Sequence, residues 1–442
     1  MKYFILLLII SGVVMSADES VIISKKEDGL IHTKQKGRYE VYKKLPDTAE
    51  SLDSAFDYAK PFATFRLANV TTNQKGLPDF GISDEKKYGT AFGGILGLES
   101  AALYGVSLRL GTYVSQKVNW LNPNEALKQN RELFDANSES YIYMGEASLS
   151  YENSFVKLQA GRIRLETPYV NSDDIRMSPN SFEGLSTHLK LDEQLHAELY
   201  VLTRWAGVDS GDDVEQFKAF VNGGYGLSGA GLTYQFNDEN EISLWYYNVD
   251  KESDIIYSEA TGDVLIHKPF HIEWGLQGAY IMQCDGSEVE GVVVGGMTII
   301  DFSALYFGLS YNYAFEKNSN TITDGFGGGP YYTSLDEQTL GAVSALAPGN
   351  DLGVYRVAVG TNIRVINRQN LNLEVVHGHF YLEESSAEAI ETDLILNYTI
   401  SERWHVESAY AHVDLKNIDY SITSNRELRD FQRLVTRLDY KF

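Results

Sequence analysis

Few residues in this sequence are spaced for covalent chemistry. No Gly-x-Ser-x-Gly elbow occurs, so the strained strand-to-helix nucleophile turn is missing. His377 and His379 would share one face of a strand as a metal pair. A third ligand is not evident, and packing in an aromatic girdle or a lumen accounts for both. His267 and His271 form a similar, weaker pair. Gly223–Gly231, GGYGLSGAG, has the glycines of a phosphate loop without its lysine and helix, so it reads as a flexible loop leading into a strand. The single cysteine, Cys284, allows neither an intramolecular disulfide nor a Cys-rich zinc site. The sequence therefore implies no enzyme, no metal and no cofactor. What remains is charge. Glu166, Asp173, Asp174 and Arg176 fall together in Leu165–Ser181, and Arg66, Arg109, Lys190, Arg204, Arg356, Arg364, Arg433 and Arg437 recur at one parity of alternating segments. Such groups orient or repel charged solutes, or pair with one another as structure.

The elements that must carry these groups show period two. At the C-terminus Leu434, Thr436, Leu438, Tyr440 and Phe442 alternate with Arg433, Val435, Arg437, Asp439 and Lys441. One face is apolar and the other charged, which is the pattern of a strand with two different surroundings. Leu305, Phe307, Leu309, Tyr311, Tyr313 and Phe315 oppose Tyr306, Gly308, Ser310, Asn312 and Ala314 in the same way. Many segments are ten to twelve residues long, above the usual five or six. Their second face is small or charged, and the apolar face often ends in Tyr or Phe. These features favour a transmembrane antiparallel β-barrel over a soluble sandwich.

Short turns alternate with long loops. The short turns include 152–153, 192–193, 237–240, 301–303, 366–370 and 401–402; the long loops are 71–89, 116–139, 165–181, 205–227, 316–352 and 416–431. The segments between them number eighteen, or sixteen if the weak pair 254–261 and 291–300 is dropped. Bacterial barrels have even strand numbers, and a barrel of this size leaves an aqueous lumen. Residues 1–17 have a lysine, an apolar run and a small-residue exit, as a secretory signal peptide does. Residues 18–59 form a periplasmic arm, in which 51–59 can make a short helix capped by Ser51 or Asp53. The barrel itself spans 60–442.

The net charge of −24 argues against a nucleic-acid partner, since neutralising phosphates needs surplus Lys and Arg. It does not set ion preference, because acids such as Asp209, Asp212, Asp213 and Glu215 fall in a loop run of the kind that is usually solvated. Outer-membrane lipid is the expected surrounding. The strand ending in Phe442 has the form that barrel-assembly machinery recognises.

Ala160–Gly184, AGRIRLETPYVNSDDIRMSPNSFEG, resembles the segment after the fifth strand of OprD-like outer-membrane porins. The matching residues are Gly161-Arg162, Thr167-Pro168, Asp174 with Arg176, Pro179, and Phe182 with Gly184. Ser54–Leu67 is similar to that family's opening segment, with Ala59 and Ala63 where Gly is usual. The resemblance runs from about Ser51 to Phe442. It implies eighteen strands and an inward-folded third external loop that narrows the pore; with the strand pattern it leads to an outer-membrane porin for passive, substrate-selective diffusion of small hydrophilic solutes, with monomer and trimer both open. On that reading Leu165–Ser181 is the constriction, with Glu166, Asp173, Asp174 and Arg176 in it, and a row of basic residues guides solutes. That role maps onto Arg162 and Arg164; parity alone proposes Arg66, Arg109, Lys190, Arg204, Arg356 and Arg437. Arg162 and Arg164 share parity with Leu158 and Ala160, so a bulge is required to turn them inward. Asp174 and Arg176 could instead only fasten the loop to the wall. A barrel lipid hydrolase and a secreted or outer-membrane polysaccharide-binding β protein are the competing readings.

Overall fold

The structure, a computed structural model, describes residues 45–442 apart from 126–127, 212, 268–269, 285, 365–368 and 422–428, and also the backbone strands 21–25, 31–35 and 40–42. The expected signal peptide lies outside the described residues.

Eighteen strands form the barrel. The first nine are β1 (Lys60–Gln74), β2 (Glu85–Glu99), β3 (Val106–Lys117), β4 (Tyr141–Glu152), β5 (Val156–Ile163), β6 (Ser181–Lys190), β7 (Leu195–Ala206), β8 (Leu227–Asn237) and β9 (Asn240–Val249). The remainder are β10 (Ser253–His267), β11 (Phe270–Gln283), β12 (Gly291–Phe302), β13 (Leu305–Glu316), β14 (Leu352–Arg364), β15 (Asn370–Leu382), β16 (Glu388–Thr399), β17 (Trp404–Lys416) and β18 (Phe431–Lys441). Each strand pairs with its neighbours in chain order, and β18 closes antiparallel onto β1 from Phe431↔Gln74 to Lys441↔Thr64. The weak pair of the sequence reading is present in full as β10 and β12, so the count is eighteen.

Burial in β13 shows why these residues form a barrel. Leu305, Phe307, Leu309 and Tyr311 are exposed on the outside, while Gly308, Ser310, Asn312 and Ala314 are buried. A soluble protein would reverse this. An apolar exterior around a polar interior suits a lipid surrounding, where every backbone group must find a partner within the sheet. Tyr234, Phe302 and Trp404 mark the outer rim near the short turns, and Tyr246, Tyr280 and Tyr311 lie toward the opposite ends of their strands. Among the described residues no helix is long and apolar enough to cross a membrane.

Strand ends reach further than the alternation indicates. The expected loop 71–89 shrinks to 75–84, because β1 runs to Gln74 and β2 begins at Glu85. Both faces of those ends carry polar residues, so the period-two signal fades where the strands leave the apolar band.

The described residues up to 60, with 100–104, form a separate compact unit. In it Thr48–Ala49 pairs in parallel with Ala102–Leu103, and Val21–Lys25, Ile31–Gln35 and Glu40–Tyr42 form an antiparallel sheet. Ser51 caps helix α1 (Leu52–Asp57), accepting from the Ser54 N–H while the Ser54 hydroxyl accepts from the Ser51 N–H. That reciprocal capping box stabilises a helix too short to persist alone.

Leu309→Arg should cost about 2–4 kcal/mol of folding free energy, as a cation at mid-bilayer depth on the lipid face does. Urea unfolding of the chain in lipid vesicles measures it; an effect below 1 kcal/mol would mean that this face does not meet lipid.

Candidate pore constriction

The register of β18 against β1 and β17 sets four charged groups on one inner surface. Arg66 stands opposite Asp439, and Arg437 opposite Glu407. Arg433 lies four residues before Arg437 on the same face. These side chains hold the long loops inside the barrel.

Arg66 is 1 % exposed. Its Nε and Nη2 each donate to Asp439 at 2.8 Å. Its Nη1 and Nη2 donate to the two carboxylate oxygens of Asp174 at 2.6 and 3.1 Å, and Nη1 also reaches the Arg176 carbonyl at 2.6 Å. A rigid, planar fork suits this bidentate task. Arg437 Nη1 donates to the Asp174 carbonyl and Nη2 to Glu407 at 2.8 Å. Burial alone would raise the Asp174 carboxyl, but Arg66 beside it holds it below the ordinary aspartate range. Asp174 is therefore a fastener of loop 164–180.

The same seam holds two other loops. Glu132 of loop 118–140 lies 2.8 Å from Arg433 and 3.0 Å from Arg176. Asp336 of loop 317–351 lies 2.9 Å from Arg433, and Glu337 also contacts it. Two strands along the wall, Glu391 on β16 accepts the N–H groups of Glu337 and Gln338 at 2.9 and 2.7 Å. Loops 164–180 and 317–351 also join backbone to backbone. Asn171 donates to the Phe326 carbonyl at 2.9 Å, and Phe326 to the Tyr169 carbonyl at 2.8 Å. A Cβ on Gly327, whose φ is +122°, would fall 2.3 Å from the Asn171 carbonyl oxygen, so this close approach needs glycine.

Between these loops and part of the wall the interior is apolar. Tyr169, Val170, Phe326, Tyr331, Leu340 and Val343 of the loops pack with Phe182, Tyr247, Tyr257, Ile281, Val293, Val354 and Phe380 of the wall. The loops thus fill one side of the interior with apolar side chains, while the other side holds the buried ion pairs of Arg66, Arg433 and Arg437.

Two ionisable groups of loop 164–180 have no ion-pair partner among the described residues. The Asp173 carboxyl has no hydrogen-bond donor among the described residues, and its backbone has φ +34°. Burial, then the nearby Asp209 carboxylate, pushes it up to about 7, against the pull of Arg176. Asp209 accepts from Asn180 at 2.6 Å and is itself raised, chiefly by partial desolvation of its carboxylate. Arg164 makes no ion pair among the described residues, yet its charge acts on Glu166 and Asp174. Glu166 is raised by burial, partly offset by Arg164.

The remaining candidates sit elsewhere. Arg162 keeps the parity of Leu158 and Ala160, since β5 pairs without a register shift on either side. It bonds Glu183 at 2.9 Å and stacks 4.2 Å over Phe217, and Arg204 meets the other oxygen of Glu183 at 2.7 Å. Cross-strand pairing places this triad on the opposite face from Ile163, Phe182 and Trp205, which point at the loops. Arg109 is inside, paired with Glu99 and Glu146 and 3.8 Å over Phe62. Arg356 lies 3.6 Å from Glu374 on the inner wall. Lys190 is exposed at the last residue of β6. The side chain of Arg364 lies outside the described residues. His379 is on the outer face, hydrogen-bonded to Tyr355 at 2.8 Å and 3.1 Å from Glu388. Glu132, Asp336, Glu337 and Glu391 did not emerge from the sequence. The first three are lone acids in loops; Glu391 shows only as an inward charge on a strand.

No protein-family model and no curated protein matches the chain. Solved structures do. Acinetobacter baumannii OccAB4 is 17% identical with a TM-score of 0.66, over 87% of this chain and 98% of that one. Pseudomonas aeruginosa OpdK with vanillate is 15% identical with a TM-score of 0.68, over 87% and 98%. Acinetobacter baumannii OccAB3 is 12% identical with a TM-score of 0.68, over 87% and 99%. The chain has their fold. The resemblance read from Ala160–Gly184 thus holds for the architecture.

Arg433→Ala would leave Glu132, Asp336 and Glu337 crowded without their cation. Removing one partner of a buried ion cluster costs about 3–5 kcal/mol. Faster proteolytic cleavage within 317–351 in the folded barrel is the expected sign; unchanged cleavage would show that Arg433 does not hold the loop.

Proposed function

We propose that the protein is an outer-membrane channel of the OprD-like family, through which small charged hydrophilic solutes diffuse passively. The observation that carries this reading is the pair of uncommitted groups at the waist, Asp173 and Arg164, in a barrel whose exterior is apolar. A selective pore needs charge at its narrowest place that is not consumed by structure. Arg66, Arg433 and Arg437 are structural on this reading, because each is ion-paired with acids of the loops or the wall. Arg164 receives the anionic end of a solute, and Asp173, with Glu166 and Asp209 near it, receives a cationic end.

Above the waist a cavity of about 1170 Å³ opens between β1, β2 and loop 118–140, with Lys86, Lys87, Lys128 and Arg131 beside Asp84, Glu85 and Glu132. It serves as a vestibule of mixed charge. The OpdK structure holds vanillate, a small aromatic carboxylate; solutes of that size and charge suit Arg164 here. Residues 1–17 direct export, and the strand ending at Phe442 directs insertion. The short-turn end then faces the periplasm.

Asp173 titrates near 7, so it is neutral below that pH and anionic above it. Cation preference, read as the reversal potential in a salt gradient, should therefore increase between about pH 5 and 9, a range wide enough to span that titration. Asp173→Asn should remove most of the change. A profile identical to wild type would place the selective charge elsewhere.

A further inference from the structure

We propose that the inner wall carries a zinc site at its short-turn end, formed by Asp263, His271 and Glu273. One ligand atom from each lies within 4.8 Å of the others. The sheet fixes all three. Glu273 stands directly opposite Asp263 across β10 and β11, and His271 lies two residues before Glu273 on the same face. That face continues into buried Gln277, Ala279 and Ile281, while Leu276 and Tyr280 are exposed on the outside.

Two carboxylates directly opposite one another on a sheet destabilise it unless a positive charge lies between them. Among the described residues no Lys or Arg pairs with Asp263, Glu273 or Asp301. The one group that approaches is an imidazole. His271 Nδ1 is 3.0 and 3.1 Å from the two oxygens of Asp263, and Nε2 is 3.6 Å from Asp301, its partner across β11 and β12. One ring nitrogen thus meets Asp263 of the acid pair and the other faces a separate carboxylate. This is the arrangement in which a metal-bound histidine is oriented by an outer acid. A nitrogen and two carboxylate oxygens suit zinc with a water in the fourth position. No part of the site lies in a loop, so little ordering opposes binding. A zinc ion here places positive charge at the lumen's short-turn mouth.

The binding claim rests on the barrel wall; only the current measurement below rests on the channel reading. Equilibrium dialysis of the folded full chain in detergent against zinc, with metal analysis, should find about one zinc per chain at neutral pH. His271→Ala should weaken it at least about tenfold, and Glu273→Gln similarly if His271→Ala does not fold. His188→Ala, at the separate His188–His196 stack, should leave binding unchanged. Binding that is absent, or equal in wild type and His271→Ala, overturns the site. In planar bilayers, zinc added on the short-turn side should reduce current in wild type and not in His271→Ala. Zinc binding in a chain that passes no current would keep the site and remove the channel reading; current without zinc binding would do the reverse.

Discussion

Closing β18 onto β1 satisfies the last row of backbone N–H and C=O groups that a bilayer could not hydrate, and the rest of the molecule follows from that seam. The seam has no edge left to pair with a neighbour, so the strands can be long and oily outside. It also places Arg66 opposite Asp439, with Arg433 and Arg437 on the same inner surface. Closure and loop capture therefore share two strands. The charges that tie down loops 118–140, 164–180 and 317–351 stand where the barrel's first and last strands meet. The loops inside the barrel depend on a ladder that forms only when the last strand is in place.

The interior divides into two environments. On one side Tyr169, Phe326 and Tyr331 of the loops pack against Tyr247, Tyr257 and Val293 in a dry core, as in any globular domain. On the other side arginines and carboxylates face each other. The apolar half gives the loops rigidity, and the ion network gives them position. Ion pairs of this kind contribute modestly to net stability, because desolvation offsets most of their attraction; losing one partner is what costs. Arg66 and Asp174 belong to that framework. Asp173, one residue on the other side of the bond, does not, and burial beside Asp209 leaves it titrating near neutrality.

Much of the wall was visible in the residue pattern because lipid and water impose opposite demands on successive positions. β13 and β18 alternate almost without exception. The loop-facing ends of strands were harder to read. At Val292–Val294 and Ile255–Tyr257 both faces are apolar, because the inner face meets loop residues such as Ile322 or Tyr169. That lapse in alternation was itself a sign of an occupied lumen. Loop 164–180 was found through its resemblance and its clustered charges. Loop 317–351 was not singled out as lumenal, since Asp336 and Glu337 are ordinary loop acids until Arg433 and Glu391 are placed beside them. The faces of Arg162 and Arg204 followed from register, which a single sequence does not supply.

The central claim is that a wet path runs past Asp173 and Arg164 from one side of a membrane to the other. Single-channel recording of the refolded chain in a planar bilayer tests it most directly. Discrete, repeatable steps of ionic current are the result the channel reading predicts. A folded, membrane-inserted barrel that stays electrically silent at every applied voltage would contradict it.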